Sequence, residues 1–255
     1  MKVKNILISQ NVPADFEKSP YAELKRKYSI NLDFYKFFKL EAISGMEFRQ
    51  TKVNILAHTA IVFSSQVTID YFFHLSQELR IEIPETMKYF CTTESIAHYL
   101  QKYIQFRKRK IFFPKATTAN GILDLFSKNK ELVYLIPCSL DSQSSKFDAY
   151  FEENGIEYSH AVVFKTVPAE VNKDVDINKY DMLVFFSPVG VQSLKINFPD
   201  FKQGDEVAIG ALGPAVISAL EQEGFTVNVK APTKEAPSIT TAMDLFLKEN
   251  ATRRR

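Results

Sequence analysis

The chain of 255 residues is poor in cysteine, histidine and glycine. Its two cysteines, Cys91 and Cys138, form no CxxC pair, which excludes a disulfide framework and a cysteine-rich zinc site and is typical of a reducing compartment. The four histidines show no HxH or HExxH spacing, so no metal site is predicted. The eight glycines form neither a GxGxxG nor a GxxxxGK[ST] segment, which disfavours a nucleotide-dependent enzyme.

Long apolar runs and an excess of one charge are also missing. No run approaches the roughly 20 apolar residues of a membrane helix, and the first residues lack the apolar core and cleavage site of a signal peptide. The net charge of +2 gives no basic excess that would favour nucleic acid. We therefore predict a cytoplasmic protein that binds neither membranes nor nucleic acid.

The most informative feature is a pattern that occurs twice, 122 residues apart. Residues 61–69 align with 183–191, and 91–93 align with 213–215. Each copy has the pattern of an apolar strand, a small polar turn and a helix. The period is too long for a solenoid, so it predicts a duplicated α/β domain with parallel sheets covered on both faces. A cleft between the two domains is the expected ligand site.

A second self-match shows how the two domains are connected. Residues 22–39 resemble 148–165 at an offset of 126, so the unit that begins the chain recurs in mid-chain. We expect the chain to leave the first domain near residue 39, to build the second, and to return near residue 165. The predicted limits are 1–37 plus 168–255 for domain 1, 42–161 for domain 2, and 38–41 with 162–167 for two linker strands.

An apolar strand ending in F-[TS]-S occurs once in each half, at 62–65 and at 185–191. A return crossing similar to V-x-V-Y-x-T lies between them at 162–167, and a G-P turn at 210–214 and an A-P-x-P-T-like closing segment at 231–238 follow the second copy. In this order, the motifs resemble those of the uroporphyrinogen-III synthase family. The resemblance implies an α/β fold of two flavodoxin-like parallel-sheet domains joined by a two-stranded extended linker.

The same resemblance implies the activity. Members of the family act on hydroxymethylbilane, a linear tetrapyrrole rich in carboxylates, in tetrapyrrole (haem) biosynthesis. They release its terminal hydroxyl as water, invert ring D and close the macrocycle, which makes them cyclising lyases. They need no cofactor and no metal. We expect a monomer whose partner is this small substrate, with a transient contact to hydroxymethylbilane synthase.

We expect the polar turns after the strands to line the cleft, because helix N-termini and backbone N–H groups bind carboxylates well. Plain helix capping explains the same hydroxyl side chains equally well. Positive charge near strand ends adds further candidates, although a solvated surface is the alternative for most of that basic stretch. No general acid stands out. The candidate substrate-binding residues are Ser64, Ser65, Gln66, Thr92, Thr93, Lys115, Thr117, Lys165, Ser187, Pro188, Val189, Gly213 and Pro214.

Two departures from the family pattern keep an alternative open. The tyrosine of the return crossing is Phe164 here, and the paired threonines after the G-P turn are Ala215 and Val216, so three hydroxyl groups are absent. These departures favour a non-catalytic paralogue that binds a tetrapyrrole or a regulatory partner in the cleft. A two-domain small-molecule binder of periplasmic type is a third possibility, which the missing signal peptide disfavours.

Overall fold

The computed structural model describes residues 3–105, 107, 109–115, 121–143 and 145–252. The chain divides into two compact units: unit 1 comprises Met1–Lys39 and Val167–Arg255, and unit 2 comprises Leu40–Thr166. Within the described ranges, no helix has both the length and the apolar character needed to cross a bilayer.

Strands and helices alternate along most of the chain. The strands are β1 (Asn5–Ile8), β2 (Asn31–Phe34), β3 (Phe38–Ala42), β4 (Ala60–Phe63), β5 (Lys88–Cys91), β6 (Ile111–Phe112), β7 (Tyr134–Ser139), β8 (Tyr158–Pro168), β9 (Met182–Phe185), β10 (Ala208–Leu212) and β11 (Val229–Ala231). The helices are α1 (Pro20–Tyr28), α2 (Gly45–Gln50), α3 (Gln66–Glu78), α4 (Glu94–Leu100), α5 (Gly121–Ser127), α6 (Asp148–Asn154), α7 (Pro188–Asn197), α8 (Pro214–Gln222) and α9 (Ile239–Thr252).

Unit 1 is built on a five-stranded sheet with the order β11-β10-β9-β1-β2, in which every neighbouring pair is parallel. In chain order this is the 2-1-3-4-5 arrangement of flavodoxin-like sheets. Both faces are buried: Ile6 and Ile8 pack in one hydrophobic cluster, while Leu7 packs in another on the opposite face. Burial on both faces explains why the first strand is a continuous apolar run rather than an alternating one.

Unit 2 has a six-stranded sheet with the order β3-β8-β7-β4-β5-β6. Its pairs from β8 to β6 are all parallel. The segment β7–α6–β8 holds the place that β1–α1–β2 holds in unit 1, so unit 2 is a circular permutation of the same arrangement. The predicted α/β class with two parallel sheets is confirmed. The segments predicted as a linker fall within β3 and β8, which are neighbours in this sheet.

The 122-residue repeat is visible at the level of single elements. Strand β9 begins and ends 122 residues after β4, and α7 begins 122 residues after α3. Each of these strands is preceded by a short 3₁₀ turn whose first N–H groups are capped by a side chain, Asn54 in one copy and Asp176 in the other. The local sequence therefore encodes the same start and stop signals twice.

One stretch differs from the form that its alternating pattern indicates. Residues 31–41 alternate as a single extended segment would, but the chain forms two strands, β2 and β3, in different sheets. Between them Phe37 is fully buried in unit 1, with its ring centroid 5.9 Å from that of Phe185. Burying this ring turns the chain out of the first sheet, an effect of tertiary packing that the alternation does not encode.

An aromatic cluster fills the face of the unit 2 sheet that α5 and α6 cover. Phe126 is fully buried at its centre. Its ring centroid lies 4.8 to 5.5 Å from those of Phe90, Tyr134, Phe147 and Phe151. These distances and the mostly edge-to-face angles suit aromatic pairs. The cluster supports the site described next, because Phe147 belongs to both.

Candidate functional site

A pocket of about 410 Å³ opens at the carboxyl edge of the unit 2 sheet, where β4 and β7 end side by side. From β4 the chain continues to β5 and β6 on one side, whereas from β7 it continues to β8 on the other. Such a reversal of winding leaves a crevice between the two loops, and open α/β sheets bind their ligands there. The strand order therefore explains the position of the pocket.

The walls of this pocket combine apolar side chains with hydroxyl groups. No carboxylate is among the described residues that line it, and its one charged residue is a lysine. A site of this composition suits an anionic ligand that also has an apolar body. The lining residues are Val62, Ser64, Ser65, Thr68, Ile136, Pro137, Cys138, Ser139, Ser142, Ser145, Lys146, Phe147 and Phe164.

Two of the predicted residues, Ser64 and Ser65, form part of the pocket wall. The Ser65 hydroxyl accepts a hydrogen bond of 3.1 Å from the backbone N–H of Thr68, so it caps α3. The Thr68 hydroxyl in turn donates to the Ser65 carbonyl at 2.8 Å. Capping is thus one real role of this serine. Its own O–H donates a long bond of 3.3 Å to the Thr68 hydroxyl, and a ligand carboxylate would have to take over that hydrogen.

The other predicted residues of unit 2 lie outside the pocket lining. Gln66 is exposed at the first position of α3. Thr93 caps α4 with a 3.4 Å bond from Ile96 N–H, and Thr92 lies next to it, 3.5 Å from the Ser64 carbonyl. Both threonines therefore share the carboxyl edge with the pocket.

Phe164, at the position of the family tyrosine, forms one wall of the pocket. The ring of Tyr71 stacks on it, with centroids 5.1 Å apart and planes inclined by 29°. Tyr71 comes from α3, so this helix supplies a polar turn at the pocket and an aromatic support behind its wall. The phenylalanine thus keeps the stacking surface of a tyrosine without the hydroxyl.

The loop between β7 and α6 closes the opposite side and was missed by sequence reasoning. Asp148, the first residue of α6, accepts the backbone N–H of Ser145 at 2.8 Å and the Nε2–H of His160 at 3.0 Å. Both side chains of the Asp148–His160 pair are about 80% buried. The pair fixes the loop that carries Ser145 and Lys146. The only sequence signal was that this loop precedes a helix.

The one thiol in the pocket is not ionised. Burial raises the pKa of the Cys138 thiol to about 11, with a smaller contribution from the nearby Asp148 carboxylate. Burial alone raises the pKa of Cys91 to about 12. Both thiols are therefore protonated near neutral pH, and because the thiolate is the nucleophile, neither supports nucleophilic catalysis.

Lys165 was predicted to bind substrate, but its charge is already paired within unit 2. Its Nζ lies 2.9 Å from a Glu47 carboxylate oxygen and 3.5 Å from one of Glu41. The hydrogen bond to Glu47, partly offset by desolvation, raises the pKa of Lys165 above its ordinary value. A substrate carboxylate would have to compete with two protein carboxylates for this ammonium group.

This ion pair predicts a pH-dependent contribution to stability. Hydrogen bonds from Lys165 and Ser44 lower the pKa of Glu47 from 4.5 to about 2. A depressed folded-state pKa stabilises the fold above the unfolded-state pKa, and this stabilisation is lost as the pH falls from about 4.5 to about 2. In thermal unfolding, Glu47→Gln should therefore melt lower than the wild type at pH 7, with the gap closing by pH 2–3. A gap that stays constant with pH would contradict this assignment.

Two further candidates follow β6. Lys115 is exposed and is not among the residues that line the pocket. Thr117 lies outside the described residues.

In unit 1 the predicted residues gather at the carboxyl edge of its sheet. Ser187 caps α7 with a 3.1 Å bond from Gly190 N–H, and Pro188 and Val189 are the first two residues of that helix. Gly213 precedes Pro214 at the start of α8 and has a φ of +96°, a conformation that L-residues with a side chain rarely adopt.

Ser9 belongs to the same edge of unit 1 and was not predicted. It follows β1, which neighbours β9 at the point where the winding of this sheet reverses. Ser9 is 4% exposed, and its hydroxyl has no hydrogen-bond partner among the described residues. A Cβ atom placed on Gly190 would lie 3.7 Å from this hydroxyl and 3.4 Å from that of Ser187. Two hydroxyl groups therefore flank the bare Cα of Gly190.

The two departures after the G-P turn differ in position. Val216 is 3% exposed and packs in a hydrophobic core of unit 1, so a hydroxyl there would face apolar side chains. Ala215 is exposed in the first turn of α8. Only Ala215 therefore removes a hydroxyl group from an exposed position at the carboxyl edge.

A larger pocket, of about 520 Å³, lies at the opposite edge of unit 1. It is enclosed by the loops that lead into β10 and β11. Its Lys195 is paired with Glu223 at 3.5 Å, and the Gln203 amide is bonded to the backbone of Thr226 on both its oxygen and its nitrogen. Because these polar groups satisfy one another, this pocket is the weaker candidate.

Comparison with known proteins decides the family. Residues 21–241 match the family model described as uroporphyrinogen-III synthase HemD. The chain belongs to the uroporphyrinogen-III synthase family. Family members are cyclising lyases of haem biosynthesis, and this agrees with the motifs of the sequence. No curated protein matches the chain.

Solved structures of uroporphyrinogen-III synthases are similar to the chain at low identity. The enzyme of Helicobacter pylori 26695 is 15% identical with a TM-score of 0.49, covering 96% of this chain and 99% of its own. Thermus thermophilus uroporphyrinogen III synthase is 13% identical with a TM-score of 0.40, covering 96% and 98%. A further crystal form of the wild-type Thermus thermophilus enzyme is 14% identical with a TM-score of 0.40, covering 99% and 100%.

Proposed function

We propose that the chain cyclises hydroxymethylbilane to uroporphyrinogen III and binds this substrate at the carboxyl edges of its two sheets. The observation that carries the proposal is the unit 2 pocket, which joins hydroxyl groups and a lysine to an apolar wall and includes no carboxylate among its described lining. A linear tetrapyrrole has the matching chemistry, because its rings are apolar and its side chains are anionic.

The reaction asks mainly for positioning. Loss of the terminal hydroxyl as water leaves a reactive cation, and uncatalysed closure of the chain gives the symmetric type I isomer. An enzyme that holds the chain folded, with ring D turned over, redirects closure to type III. Consistent with this role, the Cys138 thiol of the pocket is neutral. We name no general acid: the leaving hydroxyl can be protonated by a bound water or by the substrate's own carboxylic acids.

The helix-capping turns are the second part of the proposed site. Ser65 in unit 2 and Ser187 in unit 1 are equivalent in the repeat, and each caps a helix that begins at a carboxyl edge. In each unit, the positive end of the helix dipole lies at the carboxyl edge of that unit's sheet, where it favours carboxylates. The proposed substrate-binding set also includes Gln66, Thr92, Thr93, Lys115, Thr117, Lys165, Pro188, Val189, Gly213 and Pro214.

We extend the proposal to the organisation and setting of the protein. Units 1 and 2 are proposed to be the two domains, joined where the chain passes through β3 and β8. We further propose a cytoplasmic monomer that works without cofactor or metal and meets hydroxymethylbilane synthase only transiently. The two free and buried cysteines are in keeping with a reducing compartment.

The capping turns can be tested against matched caps at the other edge. Ser65→Ala and Ser187→Ala should each lower the free energy of unfolding by about 0.5–2 kcal/mol and raise KM for hydroxymethylbilane about fivefold. The controls are Asn54→Ala and Asp176→Ala, which remove the caps of the 3₁₀ turns at the amino edge and should leave KM unchanged. If KM in the two serine variants stays at the wild-type value, as in the two controls, both serines act only as helix caps.

A further inference from the structure

Lys146 is the one charged residue among the described residues of the pocket lining, and its charge is unpaired. No carboxylate of the described chain lies within ion-pair distance of its Nζ, which sits 5.2 Å from the ring centroid of Phe147. Lys165 at the same sheet edge contrasts with it, since two carboxylates hold that ammonium group. Lys146 is exposed, so its unpaired ammonium beside the hydroxyl groups gives the pocket a net positive charge that is accessible to an anionic ligand.

The aromatic wall of the same pocket suits a flat ring. Phe164 presents an aromatic surface to the pocket and is supported from behind by the stacked ring of Tyr71. Pro137 and Val62 extend the apolar surface. Offset stacking against a fixed aromatic ring is a favourable arrangement for a planar heterocycle.

The size of the pocket matches one part of the proposed substrate. A volume of about 410 Å³ is near the lower end of the range for small-molecule sites. It is large enough for one pyrrole ring with short acid side chains. Asp148 bonds to His160 and to the backbone N–H of Ser145, so the backbone next to Lys146 is held at the pocket.

We propose that this pocket takes a single pyrrole ring of the substrate, with a ring carboxylate on Lys146 Nζ and the ring face against Phe164. The proposal rests on the proposed function and deepens it, because it assigns one part of the substrate to unit 2. Lys146 is here a binding and positioning residue: it fixes one ring while the remainder of the tetrapyrrole folds.

Kinetics with a matched control test the role of Lys146. Lys146→Gln should raise KM for hydroxymethylbilane about five- to tenfold and leave kcat within twofold, because a charge-assisted contact is lost from binding. Raising the ionic strength should narrow the difference from the wild type. The control is Lys128→Gln, an exposed lysine of unit 2 without an ion pair among the described residues, which should match the wild type. An unchanged KM in Lys146→Gln, with type III product still formed, would overturn the subsite and leave the enzyme assignment intact.

A direct binding measurement separates the subsite from the reaction. The probe is porphobilinogen, a single pyrrole ring with an acetate and a propionate side chain, added to the full chain and followed by backbone amide NMR. We expect saturable shifts at Ser65, Ser142 and Ser145, at least fivefold weaker binding to Lys146→Gln, and no shifts with a dimethylpyrrole that lacks acid groups. Equal binding to both proteins, or shifts confined to other residues, would overturn the subsite even if the wild type is active. Lysine-dependent binding in a protein that makes only the type I isomer would support the subsite and refute the proposed function.

Discussion

Replacing Phe126 by alanine should lower the free energy of unfolding of unit 2 by about 3–5 kcal/mol. The ring is fully buried and contacts aromatic rings from two strands and from the chain before and within α6. Removing the ring leaves a cavity, and the surrounding aromatic side chains are too rigid to collapse into it. Chemical denaturation followed by circular dichroism would measure the loss. If the two units unfold in separate transitions, only that of unit 2 should move.

The matched variant is Phe126→Leu, which keeps most of the apolar volume and should cost clearly less than the alanine variant. Phe147 belongs to the same cluster and also lines the pocket, so Phe126→Ala should weaken substrate binding as well. A loss of less than about 1 kcal/mol in the alanine variant would contradict the described packing.

Filling the pocket should have the largest effect on activity. Ser142 lines the pocket from an exposed position in the loop after β7, so Ser142→Trp places an indole in the space without disturbing the core. We expect kcat/KM for type III formation to fall more than tenfold, because the substrate loses its subsite. The stability should stay within about 0.5 kcal/mol of the wild type, as for most surface substitutions.

The neighbouring residue supplies the control for this experiment. Gln143 is also exposed but is not part of the pocket lining, so Gln143→Trp should retain activity within twofold. Equal activity of both tryptophan variants would show that the reaction does not use the pocket. An equal loss of kcat/KM in both variants would show that the loop tolerates no large side chain. The result would then contradict a specific role of the pocket in the reaction.

Much of the fold could be predicted because its signals are local. The strands β4 and β9 and the helices α3 and α7 begin where the repeat places them, since capping serines and buried apolar runs specify these starts within a few residues. The match between 22–39 and 148–165 likewise predicted that β7–α6–β8 repeats the opening unit of the chain. Gly155 ends α6 with a φ of +63°, and a glycine after an apolar helix pattern is itself a local stop signal.

The site was less predictable because its pieces meet only through the strand order. Lys146 lies in the loop after β7, which has no motif such as the F-S-S turn that follows β4. This loop reaches the pocket only because β7 lies beside β4 in the sheet. The pairing of Lys165 with Glu41 and Glu47 depends on side chains far apart in sequence. The Ser9 hydroxyl is buried and has no hydrogen-bond partner among the described residues. No sequence signature predicts this either. Spacing alone encodes none of these contacts.

The positions of Phe164, Ala215 and Val216 in the structure explain what each departure from the family pattern changes. Val216 is a core residue, so its lost hydroxyl belongs to packing. Phe164 keeps an aromatic wall at the pocket, and the hydroxyl of a tyrosine is not needed for stacking. The alternative is a non-catalytic paralogue that only binds the substrate. It rests on Ala215 and on the missing tyrosine hydroxyl at Phe164. It predicts substrate affinity without a change in product.

Analysis of the reaction product distinguishes a cyclising synthase from a protein that only binds the substrate. Hydroxymethylbilane would be generated in place from porphobilinogen by its own synthase, with and without this protein. The products would then be oxidised and their type I and type III isomers separated by chromatography. We predict a shift to type III that depends on the concentration of this protein and is strongly reduced in Ser142→Trp. Type I product alone, from protein shown to be folded by its thermal transition, would contradict the proposed synthase activity.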